Sequence, residues 1–132
     1  MTRALFWISL LTLVVLGATH SAIGLASFEP LLASLVWFLG SGFALLLHAA
    51  LNLARWRARH SDRLVHRLVH SANVLMTGFG ILAVRAVPEP HAYAVLAALA
   101  GLLLSSLVAD REAASRVESG SQPSEPSAET ST

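Results

Sequence analysis

Four long apolar stretches, separated by short polar breaks, fill most of this chain. They cover Ala4–Ala26, Leu31–Leu53, Leu64–Val87 and His91–Ala109. A bilayer core about 30 Å thick is crossed by roughly 20 helical residues at 1.5 Å each. Every stretch is long enough. Between Ala4 and Leu53 the only ionisable side chains are His20, Glu29 and His48, and runs so poor in charge point to hydrocarbon as solvent. Pro30 and Pro90 stand where the second and fourth helices start, a position at which the missing N–H costs nothing. The connections SFEP and PEP are short, so consecutive helices are expected to be antiparallel neighbours. The pattern predicts an all-α, integral membrane four-helix bundle, up-down-up-down, over residues 1–109.

The pattern stops at Asp110. The following REAASRVESGSQPSEPSAETST is rich in Ser, Glu and Pro, and from Asp110 onward two arginines face five acids. Residues 110–132 are expected to form a disordered, inert cytoplasmic tail. At the other end, Arg3 before an apolar run and the sequence Gly24-Leu25-Ala26 have the outline of a secretory leader. The run of about 22 residues exceeds the roughly 7–15 of a leader's apolar region. It reads as a retained anchor.

Composition narrows the chemistry. Of 132 residues, 55% are hydrophobic and 13% charged, about half the charge of a soluble domain. The absence of cysteine removes disulfides, thiolate metal sites, Fe–S clusters and covalent haem attachment. Every base is arginine, so Schiff-base chemistry and a phosphate-loop lysine are excluded. Ser105 and Ser106 have no carboxylate beside them in sequence, and no nucleophile–base set is visible. The reading leans against an enzyme.

The arginines also set orientation. Arg3, Arg55, Arg57, Arg59, Arg63, Arg67, Arg111 and Arg116 fall on one side of the spans and Arg85 alone on the other. Under the positive-inside rule, both termini and the middle connection are cytoplasmic, in a cell (inner) membrane. The basic RWRARHSDR reads as this topology signal rather than as a headgroup or nucleic-acid contact, and no nucleic-acid partner is expected. The HSA repeat at His20 and His70 falls at different depths and reads as chance.

Polar side chains inside spans face the bundle interior and find partners there. A hairpin centred near Arg59 sets His48 level with His70, Asn52 with His66, Ser41 with Thr77 and Gly40 with Gly78. His48 and Asn52 are four apart, as are His66 and His70, and Asn73 follows three later. The predicted interhelical cluster is therefore His48, Asn52, His66, His70 and Asn73. Gly40, Gly42, Gly78 and Gly80 are expected to let spans two and three approach closely.

Three readings follow for that cluster. In the first, neutral imidazoles and amides hydrogen-bond across the hairpin and no cofactor or metal is needed. In the second, His48 and His70 ligate a b-type haem or a metal in a redox subunit. In the third, histidine titration supports proton, ion or solute transport, with no Asp or Glu inside a span to assist it. The first is preferred. Beyond the cluster, His20 is expected to make an interhelical hydrogen bond, and Arg85 to pair with Glu29 or Glu89 or to extend toward water. Trp7, Trp56 and Tyr93 suit interfacial belts, and Trp37, set deeper, is expected to pack.

The segments VVLGATHSAIGL, VWFLGSGFALLLHAALNLARW and ANVLMTGFGILAVRAVPEP resemble those of small four-helix proteins of the bacterial inner membrane, across residues 5–108. That group has no assigned activity, so the resemblance implies a fold and a location but transfers no functional residue. The expected role is a non-catalytic membrane component, in contact with lipid, packing with itself or with a larger complex.

Overall fold

The computed structural model describes residues 2–27, 33–58 and 63–120. They form four helices: α1 (Thr2–Ser27), α2 (Ala33–Arg57), α3 (Arg63–Ala86) and α4 (Pro90–Gly120). No strand occurs among the described residues. The fold is the all-α four-helix bundle that the apolar pattern predicts. Each helix is long and apolar enough to cross a membrane. Inside hydrocarbon a helix satisfies its own backbone groups, which is why Leu- and Ala-rich runs of this length settle as helices.

Neighbours in sequence are neighbours in space, and α1 also closes against α4. The contacts show the alternation of direction. Phe6, near the start of α1, stacks on Trp56 at the end of α2. Ser9, early in α1, lies under Gly101 of α4, twelve residues into that helix, and Gly80 near the end of α3 meets Leu96 and Leu99 near the start of α4. Pro90 takes the first helical position of α4, where Ala92 and Tyr93 donate to the Glu89 carbonyl at 2.9 and 3.3 Å.

The apolar core comes from three helices. Phe6, Leu10 and Leu13 of α1 pack with Leu45 and Ala49 of α2 and with Ala98, Leu99 and Leu102 of α4. From α3, Met76 reaches this cluster only in part. Outside, large apolar side chains are exposed along every helix, among them Ile8, Leu11, Leu47, Leu75, Leu82 and Leu104. A soluble bundle would turn such groups inward. Here polar side chains such as Asn52 and Asn73 share the interior with the apolar core while large apolar side chains cover the outside, a distribution that lipid favours.

Several expectations change. The composition break at Asp110 does not end the last helix, which runs on to Gly120; the Arg-Glu-Ala-Ala sequence after it is strongly helix-forming. Residues 121–132 of the expected tail lie outside the described residues, as do residues 28–32 of the first connection and residues 59–62 of the basic one. Spans two and three do not close on each other through glycine. A Cβ at Gly40 or Gly78 would meet nothing within 4 Å, whereas Gly42 packs on Gly17 and Ser21 of α1, and Gly80 on α4. The close approach belongs to α1–α2 and α3–α4, and α2 and α3 make the least contact of the four adjacent pairs. Ser41 bonds back to its own helix, to Trp37 O at 2.8 Å and Phe38 O at 3.0 Å. Thr77 Oγ1, expected level with it, has no partner among the described residues. Trp37 is 77% exposed and does not pack. His20 stacks on Phe38 at 4.2 Å, and Glu89 pairs with His91 at 3.2 Å while Arg85 stays exposed.

Candidate functional site: a polar network joining three helices

Where α2 ends and α3 begins, polar side chains from three helices meet. On α2, His48, Asn52 and Arg55 recur at four and three residues, which puts them on one face. All three are buried. On α3, His66, His70 and Asn73 repeat the same spacing on the face turned inward. On α4, Ser106 and Asp110 are one turn apart.

The deepest contact is an amide pair. Asn52 Nδ2 donates to Asn73 Oδ1 at 2.9 Å, and Asn73 Nδ2 returns a bond to Asn52 Oδ1 at 3.1 Å. Asn73 is 0% and Asn52 2% exposed. A carboxamide is both donor and acceptor, so two of them facing head to head satisfy each other. Asn52 Nδ2 also lies 3.0 Å from the His48 carbonyl and 3.4 Å from His48 Nε2.

One layer nearer the helix ends sits Arg55. Its Nε donates to His66 Nδ1 at 3.0 Å. Its terminal nitrogen donates to Asp110 Oδ1 at 2.6 Å and to the Ser106 carbonyl at 3.3 Å. The Asp110 oxygen is 3.8 Å from His66 Nδ1. One guanidinium thus holds α2 to both α3 and α4, a use of its planar fork that an ammonium would not reproduce. Because His66 Nδ1 accepts from Arg55, the proton of a neutral His66 ring belongs on Nε2. Between the two layers, His70 Nδ1 lies 3.4 Å from Ser106 Oγ.

The network explains how α3 is held. Among its described side chains few residues are buried: Val69, Asn73 and Gly80. Polar bonds through Asn73, His66 and His70 do much of the joining that apolar packing does between α1, α2 and α4.

All five residues of the sequence-predicted cluster, His48, Asn52, His66, His70 and Asn73, lie in this region. Their pairing differs from the level-by-level expectation. Asn52 meets Asn73 rather than His66, and His66 meets Arg55. His48 and His70, set level in the sequence reading as haem or metal ligands, turn to different partners, Asn52 and Ser106. Among the described residues, no three His, Asp or Glu side chains group as metal ligands. Three members escaped the sequence reading: Arg55, Ser106 and Asp110. In sequence Arg55 counts as one of the cytoplasmic arginines, yet it extends the His48–Asn52 stripe by three residues. In sequence Asp110 opens the polar tail, yet it lies one helical turn beyond Ser106.

Comparison of the chain with family models, with curated proteins and with solved structures finds no match.

Proposed function

We propose that this protein is a non-catalytic, multi-span component of a cell (inner) membrane, with both termini and the basic connection in the cytoplasm. It packs with copies of itself or within a larger membrane complex. The observation that carries this reading is where the polar groups go. The Asn52–Asn73 pair and the Arg55 fork join helix to helix, so the network fastens the bundle. The outer surface, by contrast, is built of large apolar side chains on all four helices. Such a surface suits lipid and helix partners equally well. The resemblance to small bacterial inner-membrane bundles and the arginine asymmetry support the location and orientation.

Mild detergent extraction followed by cross-linking and native electrophoresis tests the packing role. The expected result is a species larger than one chain, with a partner or with itself. A strictly monomeric chain at membrane concentrations would remove the role. Orientation is tested separately. The chain has no native cysteine, so Ser61→Cys and Ala86→Cys each give a single label site. A membrane-impermeant thiol reagent applied to intact cells is expected to reach Cys at 86 and to spare Cys at 61; the reverse pattern sinks the proposed orientation.

A further inference from the structure

Where α1 begins and α2 ends, an arginine and three aromatic rings form a tier. Phe6 and Trp56 stack with centroids 4.6 Å apart and planes 17° from parallel. Trp7 meets both rings edge-on, at 5.4 and 6.0 Å. The guanidinium carbon of Arg3 lies 5.8 Å from the Trp56 ring centre, within cation–π reach. Trp7 is 41% and Trp56 38% exposed, and Arg3 and Arg57 are exposed as well.

The charges in this corner are unbalanced. Arg55 points inward and has Asp110. Arg3 and Arg57 meet no carboxylate among the described residues. Both stand at the end of a long apolar helix, Arg3 at the start of α1 and Arg57 at the close of α2. Four-residue steps carry Arg3 to Trp7 and Leu11 along the exposed side of α1, and on α2 Phe43 falls within about 40° of Arg57 around the helix, with Leu47 beside it one turn on. Leu11, Phe43 and Leu47 are exposed.

We infer that this corner binds the headgroup of an anionic glycerophospholipid. The phosphate is held by the guanidinium groups of Arg3 and Arg57, which match phosphate oxygens in geometry as well as charge. The Trp7 and Trp56 indoles lie against the glycerol region, where amphipathic rings are most stable. The acyl chains run along the outer faces of α1 and α2. A zwitterionic lipid carries the same phosphate, but its ammonium offsets the two cations, so selectivity follows net headgroup charge. The inference rests on the membrane-spanning reading.

Tryptophan quenching tests it on the full chain in detergent. Trp37 stands toward the opposite end of the bundle, so a Trp37→Phe background leaves Trp7 and Trp56 as the reporters. Brominated phosphatidylglycerol and brominated phosphatidylcholine are titrated in parallel. The anionic lipid is expected to quench at the lower mole fraction. Arg3→Gln with Arg57→Gln should raise the half-point by roughly fivefold per arginine, about 25-fold together, toward the zwitterionic curve. Arg85→Gln, which removes one exposed arginine at the far end, should leave the curve in place, and helical circular dichroism confirms that each variant is folded. Identical curves for the two lipids, or a double variant that behaves as wild type, overturns the headgroup site. Competition by millimolar inorganic phosphate alone would also overturn it, in favour of a free-anion site. Failure of either lipid to quench, with the chain soluble after detergent removal, instead removes the membrane reading beneath it.

Discussion

The Arg55 guanidinium donates to the Asp110 carboxylate at 2.6 Å, fifty-five residues further along the chain. Arg55 is 8% and Asp110 45% exposed, so the pair bridges the buried network and the water-facing end of the bundle. Solvent at Asp110 weakens the charge attraction, and the loss on breaking it should be about 1 kcal/mol rather than the larger cost of a fully buried pair. Asp110→Ala and Arg55→Met, alone and combined, form a double-mutant cycle in SDS-induced unfolding. A positive coupling free energy of about 1 kcal/mol is expected. Strict additivity would mean that the contact fastens nothing.

The Asn52–Asn73 pair gives a sharper contrast. Either Asn52→Leu or Asn73→Leu strands one buried carboxamide and should cost about 1–2 kcal/mol of unfolding free energy. Replacing both removes the stranded group, so the double variant should recover most of that loss. A double variant as unstable as the sum of the singles would show that shape, not hydrogen bonding, governs this layer.

The glycines separate packing from chain flexibility. A Cβ at Gly42 would strike Ser21 Oγ and come within 2.8 Å of the Gly17 carbonyl oxygen, whereas at Gly40 it would enter open space. Gly42→Ala should destabilise by about 1–3 kcal/mol, the usual cost of overpacking. Gly40→Ala should be neutral or gain up to about 1 kcal/mol from helix propensity. Thermal unfolding of both variants in one detergent decides the matter, and equal responses would contradict the α1–α2 seam.

His48 and His70 have separate partners, Asn52 and Ser106, and the proposed role needs no haem. Protein purified from cells supplied with haem precursor is therefore expected to show no Soret absorption. A Soret band that disappears in both His48→Ala and His70→Ala would replace the present reading with a redox subunit.

How far the chain could be read without its structure follows from the reach of each physical effect. The number of long apolar helices and the inward placement of polar residues follow from the apolar pattern, which suits a hydrocarbon solvent. Lipid leaves no alternative to a hydrogen-bonded helix, and an 18- to 25-residue apolar run is a local feature of sequence. The stripes His48–Asn52 and His66–His70–Asn73 are equally local, because a four-three spacing marks one helix face whatever lies opposite. Which stripe member meets which was decided in three dimensions. The glycine seam lies between α1 and α2, because Gly42 faces Gly17 and not Gly78; α2 and α3 are left to meet over a short stretch, where Asn52 finds Asn73. Asp110 looked like the first residue of a tail because its charge ends the apolar run. Only the bundle shows that Arg55 stands beside it, since attraction between two charges depends on their distance in space and not on the fifty-five residues between them.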